Sequence, residues 1–287
     1  MSVLRTLVTL VGVTALVSAC NDSTSPSGRD VTVQFAVTGT GAASAANHSL
    51  AQVGTAPLEI AGSNGTLEID RIAFIVTRLE FEQSDDACES DHGEEGQREG
   101  EGEGEQEDCE EFRLAPKFVD LSLPGGVVNV ATSEVPEGTW TQLKFRVKNL
   151  DFNDDDNEND DAGEQVLEDN GLNALLGTAR AAFANWPRKA SLVVEGSFRP
   201  NGATTAIPFT TFFDGEIKVK MELQPPLELS ASSASPDVRI ELDPARWFRN
   251  ADGSVVNLSA FDFAATQRLV EFRLKMREGF LQVRLDD

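Results

Sequence analysis

The sequence predicts a mainly β protein, an antiparallel β-sandwich with one or two packed helices and acidic loop insertions. Three stretches, 31–37, 141–148 and 217–223, alternate apolar and polar residues with the period of two that a half-buried strand shows. Turn signals such as Ser63-Asn64-Gly65 and Asp214-Gly215 separate the strand-like stretches. Many short strands joined by turns are typical of a sandwich.

The strand-like stretches differ in how they expose their faces. The apolar run 72–76 is continuous, which predicts a strand buried on both faces, whereas charged residues alternate over 78–82 and predict a solvated face. The stretch 141–148 is the most regular amphipathic strand, and Lys144 and Arg146 make its polar face basic within an acidic chain. That face is either simply solvated or paired with an acidic segment.

Helical spacing and turn signals organise the second half of the chain. Apolar residues recur every three or four positions over 172–186, with Asn170 placed to cap this helix and Pro187 to end it. The stretch 261–277 also has helical spacing. Asp214-Gly215 predicts a hairpin turn between the two strands that flank it.

The charge of the chain limits its partners. The 287 residues carry a formal charge of −24, which disfavours nucleic acid and anionic membrane surfaces and favours cations or basic partners. Much of this charge lies in two stretches, 83–111 and 151–164. The first alternates glycine and glutamate, and this composition predicts a disordered insertion.

The N-terminal segment predicts export. Arg5 precedes an apolar run at 7–17, which is too short to cross a bilayer as a helix. Val17-Ser18-Ala19-Cys20 follows, and this sequence resembles the lipobox of bacterial lipoproteins. The resemblance implies a signal peptide at 1–19 and a lipid on Cys20. The small polar residues that follow predict a tether at 20–29, and the strand-like stretches predict a folded domain at 30–287. The alternative is an ordinary signal peptide with cysteine as the first mature residue.

The same resemblance predicts the location. Asn21 follows the modified cysteine, which is typical of sorting to the outer membrane. We therefore expect a cell-envelope protein held at the outer membrane by the lipid on Cys20, facing either the periplasm or the surface.

The other two cysteines and the two histidines are the residues to examine for a disulfide and for catalysis. Cys88 and Cys109 bracket the acidic insertion and, in an oxidising compartment, predict a disulfide, with two free thiols as the alternative. His48 and His92 both lie in predicted mobile loops, so a catalytic triad is disfavoured. Glycoside hydrolysis by two buried carboxylates stays open as an alternative.

Two weaker ligand hypotheses remain. Asp154, Asp156, Asp160 and Asp161 offer the oxygen ligands that calcium prefers, but the stretch lacks the glycine and glutamate spacing of an EF-hand, so a solvated acidic loop is the alternative. Trp140 is out of phase with the apolar residues of its strand, which predicts an exposed ring and a candidate glycan platform. Packing in the core or at an edge is the alternative for each tryptophan.

Part of the chain resembles a known family. Phe118-Val119-Asp120-Leu121, followed by the stretch 137–146 with Trp140 and Lys144, is similar to the bacterial family catalogued as domain of unknown function 4382. Leu242-Asp243-Pro244, with the two aromatic residues shortly after it, resembles the methanobactin-associated periplasmic proteins. Both resemblances imply a β-sandwich, and neither implies a reaction or a metal ligand.

These observations predict a non-catalytic envelope protein that acts as a binding or interaction domain. Its expected partners are the membrane, through the lipid on Cys20, and an envelope protein, a glycan or a divalent cation. A calcium-dependent or carbohydrate-binding module is the alternative function.

Overall fold

The structure, a computed structural model, describes residues 28–38, 57–83, 111–150 apart from 122 and 124, 169–271 and 275–286. Within these residues the chain is mainly β, as predicted. The strands are β1 (Gly28–Val37), β2 (Leu58–Gly62), β3 (Gly65–Glu82), β4 (Glu111–Leu114), β5 (Lys117–Asp120), β6 (Val127–Pro136), β7 (Gly138–Val147), β8 (Leu192–Pro200), β9 (Ile207–Asp214), β10 (Ile217–Leu229), β11 (Asp237–Leu242), β12 (Val270–Glu271) and β13 (Phe280–Asp286). The helices are α1 (Asp169–Ala182), α2 (Ala245–Phe248), α3 (Phe263–Thr266) and α4 (Lys275–Gly279), with a 3-10 turn at Leu258–Phe261. No helix of the described residues is long and apolar enough to cross a membrane.

The strands form two sheets. The small sheet has the order β13-β11-β1-β6, and the large sheet follows the path β10-β7-β3-β8-β9-β12. The long strand β3 organises the large sheet, because β8 pairs with its first half and β7 with its second half along one edge. The strands β2, β5 and β4 pair along its other edge.

The two sheets face each other across an apolar core. Phe35 of the small sheet contacts Phe74 and Phe145 of the large sheet edge to face, with ring centroids 5.4 and 5.6 Å apart, and packs on Phe280 at 6.2 Å. All four rings belong to one buried cluster that draws residues from both sheets. This packing confirms the predicted sandwich.

A second core lies on the opposite face of the large sheet. Helix α1 covers this face, and its residues Leu176 and Ala179 are buried with Ala73 and Ile75 of β3. Because alternate residues of β3 at 72–76 enter the two cores in turn, the strand is buried on both faces, as its continuous apolar run predicts.

Two features of the topology differ from expectation. The sheets are mixed, since β1 pairs with β11 and β12 pairs with β9 in parallel. The predicted hairpin at Asp214-Gly215 is wrong, because β9 pairs with β8 whereas β10 crosses to pair with β7. A turn signal marks where the chain reverses, but the partner of the next strand is decided by the packing of the whole sheet.

The observed helices are shorter than those that the sequence predicts. Helix α1 ends at Ala182, so Trp186 lies in the turn that follows, although it is buried as its apolar spacing predicts. The expected helix over 261–277 is wrong. The described part of this stretch holds the end of the 3-10 turn, α3, β12 and the start of α4, and β12 is held as a strand by its pairing with Phe213 and Asp214.

Candidate functional site: a basic face on the large sheet

Cationic side chains cluster where β3, β7 and β10 run side by side. The neighbouring residues on these strands, such as Leu79, Phe145 and Val219, belong to the core between the sheets. Because successive residues of a strand point to opposite faces, the charged residues between them lie on the face turned away from the small sheet. We call this surface the basic face. Its residues are Arg78, Arg113, Lys144, Arg146, Lys218 and Lys220.

Strand register places three of these cations in one row. Lys218 of β10 pairs opposite Arg146 of β7, which pairs opposite Arg78 of β3. Neighbouring strands lie about 4.8 Å apart. Like charges directly opposite each other destabilise a sheet. A carboxylate close to this row would offset the repulsion between its three cations.

The next row contains a carboxylate. Lys220 pairs opposite Lys144, Lys144 opposite Glu80, and Glu80 opposite Arg113 of β4. The sequence predicts the basic polar face of β7, and Lys-x-Lys on β10 repeats the pattern. Their alignment with each other and with β4 is visible only once the strands are paired.

Glu80 and Glu82 correct the prediction of a solvated face over 78–82, because they are 2% and 7% exposed. The Nε of Arg113 lies 2.7 Å from Glu80 Oε1, and the Nε of Arg78 donates to the same oxygen. Lys144 Nζ donates to Glu82 Oε1. The long cationic side chains cover the carboxylates, which explains why alternation with apolar residues does not here imply exposure.

A third glutamate, Glu216, lies in the turn just before β10. Glu216 accepts from Arg146 Nε and lies 3.6 Å from Lys218 Nζ, and the Lys218 side chain is 65% exposed. Among the described residues, the basic face therefore pairs with glutamates of β3 and of the turn before β10. Of the two readings that the sequence leaves open, this favours pairing with acidic residues over a simply solvated face.

An open cleft of about 400 Å³ lies over the basic face. A second cleft of about 440 Å³ adjoins it between β10 and β13, and the two share Val219, Lys220 and Arg277. The lining of the first holds six cations against two carboxylates, an excess of four positive charges in a chain whose net charge is −24. The charged lining residues are Arg78, Lys144, Arg146, Lys218, Lys220, Arg277, Glu80 and Glu82.

Most of the site residues predicted from sequence lie outside the described residues. They are Cys20, Cys88, Cys109, Asp154, Asp156, Asp160 and Asp161. The lipid, disulfide and calcium assignments therefore stay predictions. Within the described ranges, no group of three or more histidine, cysteine, aspartate or glutamate side chains is arranged to hold a metal ion.

Trp140 is not an exposed platform. Its side chain is fully buried, its ring packs edge to face on Phe81 at 6.3 Å, and its Nε1 donates to the carbonyl of Pro136 at 3.2 Å. The prediction is wrong because the alternation of buried and outward-facing residues along β7 shifts by one position between Trp140 and Leu143, so that both side chains point into the core. The partner strand β10 changes register at the same place. The alternative reading, core packing, is confirmed.

Comparison with family models, with curated proteins and with solved structures returned no match to this chain. The resemblances to domain of unknown function 4382 and to the methanobactin-associated proteins therefore stay predictions, and they assign no role to any residue of the basic face.

Proposed function

We propose that this chain is a lipid-anchored cell-envelope protein that acts by binding, and that its basic face receives an acidic segment of a partner protein. The observation that carries the proposal is the excess of positive charge over the cleft between β3, β7 and β10. Lipidation of Cys20 would hold the domain at the outer membrane, where an envelope protein is the expected partner.

The charge pattern supports an acidic partner in spite of the net charge. At about 0.15 M salt, interactions between exposed charges are largely screened beyond about 8 Å, so a partner on the basic face responds mainly to the cations there. The charged ends of Arg78 and Lys144 pair with the buried glutamates beneath them, and the lining still holds more cations than carboxylates. The cations of β7 and β10 recur at every second residue, because side chains on one face of a strand have that spacing. An extended partner segment with a carboxylate at every second residue has the same spacing.

Charge reversal on β10 tests this proposal. We expect Lys218→Glu/Lys220→Glu to bind a fluorescein-labelled peptide of alternating glutamate and glycine about tenfold more weakly, because two exposed ion pairs contribute roughly 1.4 kcal/mol together. The measurement is fluorescence anisotropy of the full-length protein over a range of sodium chloride concentrations. Both lysines are exposed, so the fold should be retained.

The matched control reverses two exposed cations that do not line the cleft, as Lys117→Glu/Arg188→Glu. It changes the net charge equally and should leave the affinity nearly unchanged. Equal weakening in both variants would show that the peptide senses only the net charge, and the proposed site would then be wrong.

The acidic insertion of this chain has the chemistry of a competitor for the basic face. Glu99, Glu101, Glu103 and Glu105 alternate with glycine in the acidic insertion. If this stretch competes with the peptide, changing all four residues to glutamine should tighten binding of the peptide to the basic face. Unchanged affinity would show that it does not compete.

The anchor has its own test. We expect Cys20→Ala to move the protein from the membrane fraction to the soluble fraction, because two or more acyl chains are needed for stable anchoring and the variant accepts none. Cell fractionation with immunodetection measures this, with Cys88→Ala as the control that keeps the lipid. Retention of Cys20→Ala in the membrane would contradict the anchor.

A further inference from the structure

A larger cleft than the one over the basic face lies on the other half of the outer face, between the C-terminal end of α1 and the short helix α3. Its volume is about 930 Å³, which falls within the range of roughly 300–1,000 Å³ typical of small-ligand sites. It shares no lining residue with the basic face. Its chemistry is also different, because aromatic rings and uncharged amides line it together with one cation and two carboxylates.

A chain of aromatic rings forms the apolar part of the cleft. Trp186 packs on Phe183 and Phe212 with centroids 5.9 and 5.6 Å apart, and Phe212 packs on Phe263 at 5.1 Å and nearly perpendicular. Three of these rings are buried, whereas Phe263, at the end of the chain, is half-buried. The stack holds Phe263 firmly while part of its surface stays accessible to a ligand.

Amide side chains border this ring. Asn185 is exposed, and its side chain has no hydrogen-bond partner among the described residues. Gln267 donates from Nε2 to the carbonyl of Phe263 at 2.9 Å, and its Oε1 has no partner within the same part of the chain. An amide offers both donors and an acceptor, so these two residues can bond a ligand hydroxyl in either direction.

Gln267 is held in an unusual backbone conformation. Its φ of 52° lies in the left-handed region, and it closes α3 where glycine is the common residue. A residue with a side chain is less stable there than glycine. The chain therefore keeps a long amide at the rim of the cleft at a cost in stability, which is typical of residues kept for function.

We propose that this cleft binds a neutral sugar. A pyranose ring has an apolar face of C–H groups that packs on an aromatic ring, and hydroxyls around its edge that pair with amides and carboxylates. Phe263 supplies the ring, and Asn185 and Gln267 supply the amides. Glu195 and Asp262 add acceptors, and Arg180 adds a donor.

The charges beside the cleft bear on its ligand. Glu195 accepts from the Thr210 hydroxyl at 3.4 Å, and Asp262 accepts from the Thr210 backbone amide at 3.0 Å while it also caps α3. The lining holds these two carboxylates and one cation, Arg180, and the neighbouring Arg71 lies 3.7 Å from Glu195 and over the ring of Phe183. The two carboxylates and two guanidinium groups balance, which suits a neutral sugar.

The test is isothermal titration of the full-length protein with maltotriose, cellotriose and triacetylchitotriose, with trigalacturonate as the acidic comparison. We expect at least one neutral trisaccharide to bind, and more tightly than trigalacturonate. Phe263→Ala should weaken that binding about tenfold or more, which corresponds to about 1.4 kcal/mol. Since Phe263→Ala can disturb the ring stack, Asn185→Ala is the second variant, because its side chain is exposed and makes no hydrogen bond within the described part of the chain.

The control is Asn129→Ala, an exposed asparagine on β6 of the other sheet, which should bind as tightly as the unchanged protein. The assignment is wrong if none of the neutral trisaccharides binds. It is also wrong if trigalacturonate binds best. A third contradicting result would be full affinity for the sugar in both variants that remove an amide, Asn185→Ala and Gln267→Gly. The acidic-peptide assay probes a different surface, so failure of either proposal leaves the other intact.

Discussion

We expect Phe35→Ala to lower the free energy of unfolding by about 3–5 kcal/mol, the usual cost of deleting a buried aromatic ring. Phe35 is 1% exposed and touches three other rings, two on the large sheet and one on β13. Its loss opens a cavity between the sheets that neighbouring side chains, already close-packed, can fill only in part. Equilibrium urea denaturation followed by tryptophan fluorescence measures the change.

Phe261→Ala is the matched control, since this phenylalanine is 43% exposed. Its removal should change the free energy of unfolding by less than about 1 kcal/mol, because most of the ring is already in water. A loss at Phe35 as small as the loss at Phe261 would contradict the conclusion that the two sheets pack through Phe35.

We expect Gly196→Ala to destabilise the domain by about 3 kcal/mol, at the upper end of the usual range for overpacking. A Cβ at this position would lie 2.0 Å from the carbonyl oxygen of Glu68 and 3.0 Å from Ile69 Cα. Both atoms are backbone atoms of β3, so no side-chain rotation relieves the clash. The strands β3 and β8 must separate at a point where their register already shifts, next to Ile69. The same urea titration measures the loss.

Gly177→Ala provides the control with the opposite sign. This glycine lies inside α1, and beyond its chain neighbours and the backbone of its own helix a Cβ there meets no described atom within 4 Å. Alanine favours the helix over glycine by about 0.8–1.0 kcal/mol, so the variant should be slightly more stable. If Gly196→Ala were also neutral or stabilising, the close approach of β3 and β8 would be wrong.

Local alternation predicts which segments are strands. Ile217, Val219 and the lysine between them form β10 as expected, because a half-buried strand needs only a period of two in its own sequence. The sequence around β10 does not show which strand it pairs with. β10 pairs with β7, about 70 to 90 residues earlier in the chain, in preference to the strand beside it across Asp214-Gly215.

The basic face, too, is predictable from the sequence only in part. Lys144 and Arg146 identify a basic polar face on β7 from sequence, since both alternate with buried apolar residues. Burial of Glu80 between Arg78 and Arg113 could not be predicted, because the covering side chains come from a residue two positions away and from a different strand. The cleft beside α3 could not be predicted for a related reason. Asn185 and Phe263 are about 80 residues apart, and neither forms a motif with its own neighbours.

The sequence by itself determined the β character of the chain, the position of α1, the double burial of β3 over 72–76 and the basic polar side of β7. These properties depend on periodicity and composition within one segment. Tertiary structure alone decided the parallel pairing of β1 with β11, the inward position of Trp140, the rows of charge across β3, β7 and β10, and the cleft beside α3. Strand partners and register depend on contacts between distant segments, whose free energy is shared over the whole core and is not written in any one of them.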